Sequence, residues 1–170
     1  DGRCDLVIGA EGAAPAAGFA VHPLGEVPFV FAVAADHPLT QLPMPLPASA
    51  IHDYPTVIVA DSSRHLPVRS SGLLDGRSRI IVPSIEHKIA AQCRGLGVGY
   101  LPQPRITREL ADGHLMLLTL DTPRTLEHIC VAWRRGNCGQ GLKWFIEQLK
   151  QMHFDAGSGG LTHQPITENR

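Results

Sequence analysis

Short apolar runs, each closed by glycine, proline or a polar turn, recur along this chain and limit what it can fold into. Leu6-Val7-Ile8 stops at Gly9, and Thr56-Val57-Ile58-Val59-Ala60 runs into a polar turn. Ile80-Ile81-Val82 meets Pro83, and Val98-Gly99-Tyr100-Leu101 meets Pro102. Runs this short and this apolar read as buried strands rather than helices. Between them the spacing changes. Ile85, Ile89, Cys93 and Leu96 recur every three or four residues and share one helical face. Ser84 offers an N-cap ahead of them, and Glu86 places a negative charge in the first turn, where the helix dipole favours it. Gly95 and Gly97 stop this helix, and a shorter one ends near Asp112 before Gly113. Further on, residues 115–120 and 126–133 read as strands, and Leu142, Phe145, Ile146, Leu149 and Met152 mark an amphipathic helix ending near Phe154. Residues 37–50 carry Pro38, Pro43, Pro45 and Pro47, so they form neither a regular helix nor a central strand.

Strands alternating with helices predict an α/β fold with a largely parallel sheet. Two β-rich stretches, 19–35 and 115–133, flank the middle of the chain. The expected division is an outer lobe of residues 1–35 and 123–154, a middle lobe of 36–122, and a flexible tail over 155–170, where little can be buried.

Composition narrows the function. The 170 residues hold 15 Lys+Arg against 16 Asp+Glu, a formal charge of −1. That balance argues against gripping nucleic acid by bulk charge. No apolar run approaches the roughly 20 residues of a membrane helix, so no membrane partner is expected. The chain opens on Asp1 without a Met or an export leader, and it reads as a piece of a longer protein. The four cysteines show no Cys-x-x-Cys spacing, and Cys4, Cys93 and Cys130 sit in or beside apolar stretches. They read as reduced structural thiols, which fits a cytoplasmic location.

No pattern predicts catalysis. The nine histidines make no His-x-x-x-His pair, and Pro83 occupies the first ligand position of what would otherwise be a His-x-x-Glu-His motif. Gly95-Leu96-Gly97-Val98-Gly99 closes a helix and opens a strand, the reverse of a phosphate-binding loop. No Gly-x-Ser-x-Gly elbow is present at a strand-to-helix turn. Asp61-Ser62-Ser63-Arg64-His65 packs acid, hydroxyl and imidazole into neighbouring positions, but triads assemble through the fold rather than along the chain. No catalytic residue, metal or cofactor is expected. In open α/β sheets ligands bind beyond the carboxyl ends of the strands. Here those ends bring Ala10 and Glu11, then Ser62, Ser63 and Arg64, then Ser84, then Gln103. Hydroxyls, an Arg and a helix start suit holding a small polar molecule rather than transforming it.

The landmarks resemble a known family. Gly2-Arg3-Cys4-Asp5-Leu6-Val7-Ile8-Gly9 resembles the G-x-x-D-hydrophobic-x-I-G segment of LysR-type transcriptional regulators. Pro23-Leu24, a strand, and then Asp36-His37-Pro38-Leu39 are similar to that family's strand and HPL run. Gly95-Leu96-Gly97-Val98-Gly99-Tyr100-Leu101-Pro102 resembles its GLGIxxLP segment, and Leu110-Ala111-Asp112-Gly113-His114-Leu115 its L-x-x-G-x-L. Phe145 stands where the family often has its final aromatic residue. The match covers residues 2–150, and the pieces come in the family's order.

The resemblance implies the effector-binding portion of such a regulator. That portion has a periplasmic-binding-protein-like (type II) fold: two Rossmann-like lobes, two crossover strands, and an effector cleft between the lobes. The strand 5–9 resembles the third strand of the first lobe, so that lobe is expected to be incomplete here. The implied partners are a small-molecule effector, DNA through a helix-turn-helix absent from this chain, and further copies of the protein in a dimer or tetramer. Carried over by position, the effector contacts fall at Ala10, at Ser62, Ser63, Arg64 and His65, and at Ser84. Arg64 with the Ser84 helix start favours an anionic effector. One rival is a solute-binding protein of the same fold serving a transporter, which needs an export leader. A second rival, a small-molecule enzyme, needs an acid–base pair that the motifs do not supply.

Overall fold

The computed structural model describes residues 4–10, 18–60, 78–122, 126–136, 139–155 and 160–163. Its strands are, in chain order, β1 (Leu6–Ala10), β2 (Phe19–Val27), β3 (Phe29–Ala34), β4 (Thr56–Val59) and β5 (Arg79–Val82). They continue with β6 (Gly99–Pro102), β7 (Leu115–Leu117), β8 (Glu127–Arg134), β9 (Met152–Asp155) and β10 (Gly160–His163). The helices are α1 (Ile85–Cys93), α2 (Thr107–Ala111) and α3 (Gln140–Lys150), with short 3-10 turns at Pro38–Gln41, Ala48–Ile51 and Gln103–Arg105. The chain divides into two compact units: Asp1–Pro28 with Leu126–Arg170, and Phe29–Thr125.

The unit Phe29–Thr125 is organised around β3. Its sequence, Phe-Val-Phe-Ala-Val-Ala, has no polar residue because the strand is paired on both edges, with β6 and with β7, both antiparallel. Side chains alternate between two cores, as the two-residue period of a strand requires. Phe31 and Val33 join Leu39, Leu46, Ile51, Val98 and Tyr100 on one face. Ala32 joins Ile89, Leu101, Ile106 and Leu115 on the other. Phe31 meets Tyr100 edge to face, ring centroids 5.6 Å apart. β4 and β5 pair in parallel, from Thr56 opposite Arg79 to Val59 opposite Val82. Thr56 also bridges Val98 in parallel, and Val57 N donates to Val98 O at 3.0 Å, which sets β4 beside the start of β6.

Both helix stops predicted from glycine are present, each with paired carbonyl caps. After α1, Leu96 N donates to Ala91 O (3.1 Å) and Gly95 N to Gln92 O (3.0 Å), with Gly95 at φ 67°. After α2, His114 N donates to Glu109 O (2.8 Å) and Gly113 N to Leu110 O (3.2 Å). The left-handed backbone this motif needs is the one glycine adopts without a side-chain clash. Ile85, Ile89 and Cys93 pack inward as the spacing predicts. Leu96 is half exposed, because the helix has ended before it.

In the other unit, β8 lies between β1 and β2 and is antiparallel to both, and the sheet continues to β9 and β10. The β2–β8 register slips between Pro23 and Gly25. Pro23 has no N–H to give to a ladder, and the extra residue, Leu24, turns into the core beside Val131 and Leu149. α3 supplies Leu149 to that core, with Leu6, Ile129, Trp133 and Met152 packed around it.

Three expectations need correction. The pairing is mostly antiparallel, with β4–β5 as the parallel pair and single parallel contacts elsewhere. Each antiparallel pair with β8 or β3 joins strands far apart in the chain, where the apolar runs alone carry no sign of strand direction. Residues 29–34, assigned to the outer lobe, belong with the middle unit because β6 and β7 flank them. The C-terminal stretch is not all loose tail. α3 ends at Lys150, and β9 and β10 pair antiparallel from Met152 opposite His163 to Asp155 opposite Gly160.

Candidate functional site

β4 and β5 end side by side. Ala60 N donates to Val82 O at 2.8 Å, so the chain leaving β4 starts beside the chain leaving β5. Pro83 then ends β5 and Ser84 opens α1. Ser84 is extended (φ −152°, ψ 170°), and its Oγ accepts from His87 N at 3.5 Å. The same Oγ lies 3.0 Å from His87 Nδ1, and Lys88 N donates to Ser84 O at 3.1 Å. The N-cap reading of Ser84 therefore holds in the structure: one hydroxyl serves the first turn, whose N–H groups lack intrahelical partners.

Charge collects here. Glu86 Oε1 is 2.6 Å from Arg105 Nη2, which sits just past the end of β6. The Ser84 hydroxyl, the backbone amide of Glu86 itself and the Arg105 guanidinium hold the Glu86 carboxyl at about 2. Both side chains are half exposed, so the pair is within reach of solvent. Sequence spacing placed Glu86 for its effect on the helix dipole but gave no sign of Arg105, which is distant in the chain and arrives through the β6 turn. Gln92, the other polar residue that sequence reasoning passed over, is fully buried in α1.

Of the expected contact positions, the structure describes Ser84 at this helix start and the backbone of Ala10 at the end of β1, opposite Ile129 of β8, in the other unit. Ser62, Ser63, Arg64 and His65 lie outside the described residues. Among the described residues no three His, Cys, Asp or Glu side chains gather as metal ligands. Burial raises the Cys93 thiol, with a further push from Glu109, which suits a packed thiol rather than a reactive one. A shallow groove of about 230 Å³ on the Phe31 side of β3 is lined by Phe29, Phe31, Tyr100, Leu118, Thr119 and Leu120 among others. None of its lining residues is charged. Of these two features, only the α1 start offers a polar, charged environment.

Comparison with known proteins gives this geometry a family. The LysR substrate binding domain matches residues 1–153. The HTH-type transcriptional activator AllS of Salmonella typhimurium strain LT2 is 34% identical over 147 residues, covering 86% of this chain and 48% of AllS. The chain thus spans about half the length of the curated relatives it matches. Two solved structures share the fold. The regulatory domain of MetR, a LysR family regulator from N. meningitidis, superposes with a TM-score of 0.69 at 18% identity, covering 96% of this chain and 76% of that one. The Synechocystis PCC6803 CcmR regulatory domain, solved in complex with 2-PG, gives 0.66 at 24% identity, covering 87% and 73%. These regulatory domains have the periplasmic-binding-protein-like type II fold, the class expected from the sequence. With the family match spanning nearly its whole length, this chain belongs to the LysR substrate-binding domain family.

Proposed function

We propose that the chain senses a small anionic metabolite for a LysR-type transcriptional regulator, and that the α1 start is part of its binding surface. One observation carries this reading: a Ser-capped helix start at the carboxyl end of a parallel strand pair, with a cationic side chain beside it. The positive end of the helix dipole and the Arg105 guanidinium favour negative charge at this place, and Glu86 already supplies one carboxylate there, which the effector's anionic group would join or displace. Ser84 contacts the effector directly, and Ala10, Ser62, Ser63, Arg64 and His65 complete the contact set. No cofactor takes part.

The whole regulator binds DNA through a helix-turn-helix outside this chain, works as a homo-oligomer and resides in the cytoplasm. Among the described residues no helix is long and apolar enough to cross a membrane. The relatives carry names of transcriptional regulators, which favours this reading over a transport-linked solute binder or an enzyme. The effector acts by population shift: it binds one conformation of the regulator better than another, and its leverage equals that difference in affinity.

The test is a thermal-shift and calorimetric screen of the full-length regulator against small carboxylates and phosphorylated metabolites. At least one should raise the melting temperature saturably. Ser84→Ala should then weaken its affinity about tenfold, the worth of one charge-assisted bond, while the lost cap costs about 1 kcal/mol of stability. A panel without a binder, or an unchanged affinity in Ser84→Ala, would refute the assignment.

A further inference from the structure

Gln92 is the polar side chain that packing alone does not explain. It is fully buried one position before the end of α1. Its Nε2 donates to Ala32 O of β3 (3.1 Å) and to Gly99 O of β6 (3.0 Å), and those two residues are opposite each other in the β3–β6 ladder. Its Oε1 has no hydrogen-bond partner. A buried acceptor left without a partner is unfavourable, so what this side chain contributes to the fold comes through its N–H groups.

What they do follows from the rest of α1. Ile85, Ile89 and Cys93 hold the helix to the sheet through apolar contacts, which have no preferred direction and resist sliding weakly. Hydrogen bonds are directional and fix a position along the axis. Gln92 ties one end of α1 to the first residue of β6. Glu86 ties the other end to Arg105, just beyond the last residue of β6. The helix is thus tethered at both ends to the two ends of one strand, by a buried amide at one end and an exposed ion pair at the other.

We propose that Gln92 is a positioning residue for the effector site: its buried amide fixes α1 along β6, and so sets where Ser84 and the first turn stand. The proposal rests on the reading that Ser84 contacts the effector. Glu86 reports the position, because its carboxylate faces Ser84 on its own helix and Arg105 from the end of β6, with His87 next to Ser84.

The experiment follows the Glu86 carboxyl by carbon-13 NMR in full-length regulator labelled at glutamate, the signal assigned with Glu86→Gln. The titration covers the ordinary glutamate range, from about pH 6 down to about pH 3.5. In the unaltered protein, and in Ile89→Val, which trims an apolar contact of α1 without touching the tether, Glu86 should stay ionised throughout. In Gln92→Met, which keeps the length and loses both donors, the Arg105 share of the lowering should be lost and the midpoint should rise into the titrated range, whereas the shares of Ser84 and the Glu86 amide, which move with the helix, remain. Should Gln92→Met unfold, Gln92→Asn, whose amide is too short to reach both carbonyls, gives the same reading. Glu86 remaining ionised in the Gln92 variants, or climbing equally in Ile89→Val, overturns the proposal. The titration needs no effector, so a failure of the Ser84 contact, seen as unchanged affinity in Ser84→Ala, is read separately.

Discussion

Gly97 has no room for a methyl group. A Cβ there would lie 2.5 Å from Pro55 O, 3.2 Å from Pro55 C and 3.0 Å from Val57 Cγ2. Two of those atoms are backbone at the entry to β4, held by the Val98 N to Pro55 O bond of 2.9 Å, so they cannot swing aside. Gly97→Ala should cost about 2 kcal/mol, as overpacking does, and lower the urea midpoint without changing the slope. His37 offers a second test at the same scale. It is buried against Tyr54, ring centroids 4.6 Å apart, and its Nδ1 accepts from Leu39 N at 3.2 Å. Burial lowers its pKa from 6.5, outweighing the opposite pull of Asp36. The unfolded chain therefore takes up the proton first as pH falls. Stability should drop as pH passes down through 6.5 and level off below the folded value. His37→Asn keeps an acceptor for Leu39 N–H and removes the proton site. The stability difference between about pH 7.5 and pH 5.5 should shrink in that variant relative to the parent. An equal difference in both would assign the pH dependence to other groups.

Among the elements, α3 separates what periodicity reveals from what it does not. Ile146 and Leu149 are buried as the spacing predicts, whereas Phe145, on the same predicted face, is 47% exposed. Leu149→Ala should destabilise by about 2–5 kcal/mol through the cavity it leaves beside Leu24 and Val131. Trp144→Ala, at a site 64% exposed, should change stability by no more than about 0.5 kcal/mol. Chemical denaturation of the two variants reads the contrast, and a Trp144 loss as large as that of Leu149 would show that α3 buries its other face.

The same division explains what the sequence made legible. The Ser84 cap and the stops at Gly95 and Gly113 depend on neighbours a few residues away, and they were readable from local chemistry. The strands at β4, β5, β6 and β8 announced themselves by apolar runs. Strand direction, the pairing of β3 with β6 and β7, and the meeting of Glu86 with Arg105 depend on partners far along the chain, where composition carries no signal. The β9–β10 pair went unread because Met152 falls at helical spacing from Leu149, which extends the helical pattern into β9, and β10 carries one large apolar residue, Leu161.

At the scale of the whole molecule, the family match and the fold supply the class of protein. The chain passes from one unit to the other at Pro28–Phe29 and returns at Thr125–Leu126. In the proposed function an anionic group of the effector is held at the Ser84 end of α1. A crystal structure of the full-length regulator with the metabolite that raises its melting temperature tests this most directly. A carboxylate or phosphate oxygen is expected about 3 Å from Ser84 Oγ or from the first-turn amides of α1. A metabolite seated instead on the apolar groove of Phe29, Phe31 and Tyr100, with Ser84 untouched, would contradict it.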